Sequence, residues 1–219
     1  MSDITERLKN VRSVVERYPG VVTVAVTKFQ PVEKIQTALA EGLFDLGINH
    51  VQQGEELTKL CPQARLHFIG HVQGRKAKEV MNYHLVQSLD RLKIVEEWGK
   101  RLGDRKDPID VLIEVNIGEE QQKSGVLPHE FDSFFSSLVV FSFVRVRGLM
   151  AMPPFLEPPT RRAPHFKAMR ELFDAYRDSH FNILSMGTSA DFEVALAEGS
   201  TMVRLGTTLF GERPVSAHG

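Results

Sequence analysis

Cysteine is almost missing from this 219-residue chain: Cys61 is the only one. That excludes an internal disulfide framework and any multi-cysteine zinc site, and it fits a reducing, cytosolic compartment. Net charge is nearly absent too, with 27 basic against 28 acidic side chains. Neither nucleic acid nor an acidic membrane surface finds a general electrostatic partner here. No apolar run approaches the ~18 residues of a transmembrane helix. The amino terminus lacks the apolar core of a signal peptide. Tryptophan occurs once and tyrosine three times. What is plentiful is ordinary: 42% hydrophobic and 25% charged residues, the mix of a globular protein. A chain of this length buries roughly 70% of its unfolded surface and needs no staples.

Hydrophobic spacing organises the chain into repeated strand–helix units. Ile4, Leu8, Val11 and Val15 recur at helical spacing, so the chain opens on an amphipathic helix. The β-branched run 21–27 reads as a buried parallel strand, and Pro31 opens a helix to about Ala40. The alternation continues with strands at 43–48, 66–70, 85–89, 109–116, 144–150, 182–186 and 201–205. Helices fill the intervals, with Asp90 as a candidate cap for the one that follows 85–89. Eight β/α units are the count of a (β/α)8 TIM barrel, here one domain over residues 1–219 with an extra N-terminal helix. A doubly wound sheet is the rival, but no Gly-rich dinucleotide fingerprint follows the first strand.

In a barrel the carboxyl ends of strands carry the chemistry. Lys28 ends the first strand in phase with Val22, Val24 and Val26. A partly desolvated lysine there can attack a carbonyl, though strand-end lysines more often reach out to solvent. Ser185-Met-Gly-Thr-Ser189 and Arg204-Leu-Gly-Thr-Thr208 end strands seven and eight with small residues, hydroxyls and free amides. That is where barrels often seat a phosphate, although Gly-Thr and Gly-Ser are also common turn chemistry. Lysine and phosphate site together leave pyridoxal phosphate chemistry and sugar-phosphate aldol chemistry both open. His67 and His71 share a strand face, but no third ligand stands near them, so no metal is expected. Arg145, Arg147, Arg161 and Arg162 are too few and scattered for a nucleic-acid footprint.

A series of segments then narrows the choice. Val24-Ala-Val-Thr-Lys28, His67-Phe-Ile-Gly-His-Val-Gln73, Gln87-Ser-Leu-Asp-Arg91 and Glu114-Val-Asn-Ile-Gly118 are followed by Lys123-Ser-Gly125 and Arg147-Gly-Leu-Met-Ala-Met-Pro153. Leu184-Ser-Met-Gly187 and Gly199-Ser-Thr-Met-Val-Arg-Leu-Gly-Thr207 complete it. In this order, over almost the whole chain, they resemble the YggS/PROSC pyridoxal phosphate homeostasis family, which is related to the amino-terminal domain of alanine racemase. The resemblance implies pyridoxal 5'-phosphate as cofactor, held as a Schiff base on Lys28. It implies Ser185, Gly187, Ser189, Gly206 and Thr207 around the phosphate, Asn49 near the ring and Arg204 facing the pyridine nitrogen. Arginine stays protonated and can only donate, so the ring nitrogen would stay unprotonated and the ring a weak electron sink.

The family usually reads Gly-Glu-Asn-Tyr-Val-Gln-Glu where this chain has Gly47-Ile-Asn-His-Val-Gln-Gln53. Gln73-Gly-Arg-Lys76 departs from the usual Gln-x-Asn-Lys, and Thr188 stands where methionine is common. These changes touch the ring's polar surroundings and leave the lysine and phosphate elements whole. The implied function is intracellular buffering or delivery of the cofactor, with apoenzymes that use it as partners and a monomer or weak dimer as the assembly. The alternative is an amino-acid racemase of low activity. Two-base racemisation needs an acid/base group on each face of the substrate. In alanine racemase one is a tyrosine from a second domain and the partner subunit, whereas Tyr18, Tyr83 and Tyr176 fall away from the expected strand ends here.

Overall fold

The computed structural model describes residues 4–212. Eight parallel strands close into a barrel in sequential order, each strand paired to its neighbours and β8 back to β1. The strands are β1 (Val22–Val26), β2 (Asp45–Ile48), β3 (Arg65–Phe68), β4 (Leu85–Leu89), β5 (Ile109–Val115), β6 (Val144–Ala151), β7 (Ile183–Thr188) and β8 (Met202–Leu205). Before β1 runs α1 (Ile4–Val15). Between strands lie α2 (Val32–Ala40), α3 (Val51–Leu60), α4 (Ala77–Val80), α5 (Leu92–Gly99), α6 (Phe131–Leu138), α7 (Ala163–Tyr176) and α8 (Phe192–Ala197). A single turn, α9 (Thr207–Phe210), follows β8. The expected TIM barrel with its additional N-terminal helix is the observed fold.

Strand alternation divides the buried residues into two layers. Val24, Leu85, Leu112, Met150 and Met202 pack with one another as a cluster of their own, the interior of the barrel. A larger cluster includes Ala25, Leu46, Val86, Ile113 and Leu184 from the outer strand faces, with the inward stripes of the helices. Trp98, Phe131, Phe166 and Phe173 are its largest fully buried side chains. Trp98 also donates its indole N–H to the Ala77 carbonyl at 2.8 Å, so its polar atom is satisfied. No helix among the described residues is long and apolar enough to cross a membrane.

Element boundaries differ locally from the periodicity reading. Asp90 does not cap α5; its carboxylate takes Arg91 Nη1–H at 3.1 Å, and Arg91 is the residue before the helix. Strand β7 runs two residues further than expected, to Thr188.

Between β5 and β6 the register shifts at Val111/Leu112, and there Gly148 adopts φ +146°. A Cβ on Gly148 would lie 1.8 Å from the Ile183 carbonyl oxygen of the neighbouring strand. Gly148→Ala is expected to cost at least ~2 kcal/mol, roughly 4–8 °C in Tm for a chain of this size. A melt within one degree of wild type would refute the close approach.

Candidate functional site

Lys28, Asn49, Ser189 and Gly206 each lie one or two residues past the end of β1, β2, β7 and β8. In a closed parallel barrel that places all four at one mouth. Lys28 is half-buried, and its ammonium makes no hydrogen bond or ion pair with the described residues. Its Nζ stands 5.0 Å from the ring centroid of Phe29. Phe29 itself has φ +61°, a left-handed conformation rare for an aromatic residue, directly beside the lysine.

Two hydrogen bonds fix the strand end that carries Lys28. Gln53 Nε2–H donates to the Thr27 carbonyl at 2.8 Å, and Thr27 Oγ1–H donates to the Gly47 carbonyl at 3.2 Å. Gln53 is one of the departures from the family pattern. Its amide can donate to that carbonyl, which an ionised glutamate could not do. Beside it the Asn49 side chain has a buried Oδ1 with no hydrogen-bond partner among the described residues. Asn49 also lines a cleft of about 100 Å³ with His50, Phe68, His71 and Gln73.

At β7 and β8 the backbone converges on one oxygen. Ser189 Oγ accepts Gly206 N–H at 3.0 Å and Thr208 N–H at 3.2 Å. Two amides aimed at one oxygen are the donor pattern that a phosphate oxygen requires. Gly187, at φ +94°, lets β7 pass α8: a Cβ there would stand 2.6 Å from the Ala195 Cβ. Thr207 is exposed at the first position of α9, and its hydroxyl makes no hydrogen bond to the described residues. The loop bearing Ser189 is held from behind. Asp191 Oδ1 takes Thr188 N–H at 2.6 Å and Thr188 Oγ1–H at 2.9 Å, while its Oδ2 takes Arg162 Nη1–H at 2.8 Å.

Ser185 belongs to a different part of the arrangement from the phosphate position expected of it. It lies fully buried inside the barrel, where its Oγ–H donates to Gln87 Oε1 at 2.7 Å and its Oγ accepts Arg204 Nη1–H at 2.7 Å. Its proton and one lone pair are taken, and Ser185 supports Arg204. The guanidinium also donates to the Ser185 carbonyl at 2.9 Å and from Nη2 to the Ala151 carbonyl at 3.0 Å. Its Nε–H has no hydrogen-bond partner among the described residues. Burial pulls the guanidinium down to about 10, against the opposing charges of Glu114 and Asp191, and it remains a cation at neutral pH.

Sequence reasoning left Glu114 without a role. Its carboxyl sits at the end of β5, pushed up to about 7 first by burial and then by Asp90, against Arg204 and Arg91. An acid held above its ordinary value weakens the fold as it ionises. The penalty is absent below pH 4.5, grows towards pH 7 and is constant above. Glu114→Gln is expected to leave Tm unchanged at pH 4.5 and to raise it at pH 8, by up to ~2 kcal/mol or roughly 5 °C. Equal shifts at both pH values would contradict that.

Tyr83 Oη reaches the Val51 carbonyl at 3.4 Å with its ring stacked on Phe68, Tyr176 Oη bonds Asp132, and Tyr18 packs on the core beside β1's amino end. His67 points into the barrel and His71 lies at the rim against Arg91 and Ser124.

The residues at the mouth suit a phosphorylated carbonyl cofactor: a free amine, an orphaned amide oxygen, converging amides and a guanidinium with an unused donor. Comparison with known proteins points the same way. A pyridoxal phosphate homeostasis protein of Aquifex aeolicus is 41% identical over 194 residues, covering 85% of each chain. One of Pasteurella multocida is 36% identical over 206 residues, covering 90% of this chain and 88% of its own. Among solved structures, PipY of Synechococcus elongatus with pyridoxal phosphate bound superposes at a TM-score of 0.81 and 29% identity, over 95% of this chain and all of that one. The family description for the alanine racemase N-terminal domain matches residues 2–214. The chain therefore belongs to the alanine racemase N-terminal domain family and, within it, to the pyridoxal phosphate homeostasis proteins.

Proposed function

We propose that this chain binds pyridoxal 5'-phosphate at the carboxyl end of its barrel and serves to buffer the cofactor or hand it to apoenzymes in the cytosol. The observation that carries the reading is Lys28, without a hydrogen bond or ion pair to the described residues, at the same end of the barrel as the two amides on Ser189 and the buried Arg204 guanidinium. Pyridoxal phosphate, when bound, supplies an aldehyde that condenses reversibly with amines and a ring that withdraws electrons from what it captures. Lys28 offers the amine. Ser189, Gly187, Gly206 and Thr207 would hold the phosphate, Asn49 would offer its free Oδ1 near the ring, and Arg204 would face the ring nitrogen. Because Arg204 only donates, it would leave that nitrogen unprotonated and damp the electron withdrawal that amino-acid chemistry needs. Residues 1–219 act as one cofactor-holding unit, a monomer or weak dimer.

One observation favours a second reading, a slow racemase-like enzyme. Glu114 lies near the mouth with its carboxyl pushed up to about 7, the range of a working acid/base group. Lys28 and Glu114 would then be the two bases.

Purified protein titrated with pyridoxal phosphate decides between them. The carrier reading expects a saturable visible band that borohydride bleaches, cofactor transfer to an added apoenzyme, and no measurable interconversion of L- and D-amino acids. Robust racemisation lost in Glu114→Gln would favour the enzyme. A protein that stays colourless at saturating cofactor would sink both.

A further inference from the structure

Arg204 is the inner end of a longer arrangement. From Ser185 Oγ the hydrogen bonds continue across the barrel interior: Gln87 Nε2 meets His67 Nδ1 at 3.0 Å, and His67 Nε2 meets Asp45 Oδ1 at 2.9 Å. Asp45 is clamped in turn by Arg65, Nε to Oδ1 at 2.8 Å and Nη2 to Oδ2 at 2.5 Å. His67, Gln87 and Ser185 are each exposed by 1% or less, and Asp45 by 7%. Asp45 opens β2, so it stands at the end of the barrel opposite Lys28.

Donor and acceptor bookkeeping gives the chain a single direction. The Asp45 carboxylate, clamped by Arg65, only accepts, so a neutral His67 ring gives it the Nε2 proton and leaves Nδ1 bare for Gln87 Nε2–H, and Gln87 Oε1 then takes the Ser185 proton. That orients the Gln87 amide, and Nε2 faces both His67 Nδ1 and the Met202 sulfur at 3.2 Å. His67 Nδ1 then accepts and His67 Nε2 carries the proton given to Asp45. A flipped amide would set an oxygen against both the bare His67 Nδ1 and the Met202 sulfur. Every donor in the series therefore points from Arg204 toward Asp45. Apart from Asp45, the titratable group against the His67 ring is His84, edge-on at 5.4 Å, with Arg65 beyond the carboxylate.

We propose that Gln87, His67 and Asp45 are positioning residues for Arg204, a directed hydrogen-bond chain through the barrel that holds the guanidinium at the angle the ring nitrogen meets. The last clause rests on the pyridoxal phosphate reading; the chain itself does not. Gln87 is the decisive member, because its amide joins the Ser185 hydroxyl to the His67 ring.

Nitrogen-15 spectra of the histidine side chains in the cofactor-free protein test the direction. The expected result is His67 with Nε2 protonated and Nδ1 bare. In Gln87→Glu the position facing Nδ1 becomes an acceptor, and the His67 Nδ1 signal is expected to move to that of a protonated nitrogen. An Nδ1–H tautomer in the wild type, or a His67 signal indifferent to Gln87→Glu, would overturn the proposal. In the loaded protein, Gln87→Glu is expected to move the pH midpoint of the bound cofactor's absorbance by half a unit or more and to weaken binding at least tenfold. Gln87→Glu binding and titrating as wild type does would overturn the positioning role. If wild-type protein takes up no cofactor, the functional reading fails and the tautomer alone still decides the chain.

Discussion

Lys28→Ala is expected to give a folded protein without the visible band, and with affinity for pyridoxal phosphate lowered at least ~100-fold, about 2.7 kcal/mol. The fold should hardly register the change. Lys28 makes no hydrogen bond or ion pair with the described residues, so its removal leaves no buried partner behind. The expected melt lies within one or two degrees of wild type. On the proposed reading, the variant loses the amine that closes the covalent bond and keeps the backbone amides at Ser189 that would hold the phosphate. Residual, colourless binding is therefore the predicted signature, measured by equilibrium dialysis beside the absorbance titration. A visible band that survives Lys28→Ala would mean another amine holds the cofactor.

Arg162→Ala is expected to be among the most damaging single changes. The Arg162 side chain is 2% exposed and spends its donors on Asp191, Glu157 and the Leu156 carbonyl, while its guanidinium covers the Phe155 ring at 4.4 Å. Removing it strands the Asp191 carboxylate, itself buried and busy holding Thr188. Breaking such a buried pair costs about 3–5 kcal/mol, roughly 10 °C in Tm here. The pair joins the loop after β6 to the loop after β7, so the loss should reach Ser189 and weaken phosphate binding as well. In the double variant Arg162→Ala with Asp191→Ala, the stranded charge is gone, and the total loss should be well below the sum of the two single losses. Strict additivity by chemical denaturation would show that the two side chains do not act together.

How much of this was legible beforehand follows from what a linear pattern can carry. Alternation and turn residues located all eight strands, because in a barrel each strand must be apolar on its outer face to meet the helices. Lys28 could be read as a strand-end residue from its phase with Val22, Val24 and Val26, and Ser189 and Gly206 from their place after the last two strands. Periodicity states which face a residue takes, but not which residue of another strand it meets. Ser185 therefore looked like a phosphate ligand, although its partners, Gln87 and Arg204, come from positions 98 residues before and 19 after. Asp90 offered a local capping reading and instead took a charged neighbour. Arg162 was visible only as one of four scattered arginines, and its pairing with Asp191 was not, since only the closed barrel brings the two loops together. The departure at Gln53 was visible as a lost charge; that its amide reaches back to Thr27 was not.

Borohydride reduction of protein loaded with pyridoxal phosphate, followed by peptide mass mapping, identifies the amine that takes the cofactor. The predicted result is one phosphopyridoxyl group per chain, on the peptide containing Lys28, appearing as the visible band is lost. Label confined to another lysine, such as Lys123 at the rim, or no label on a protein that has turned yellow, would contradict the account.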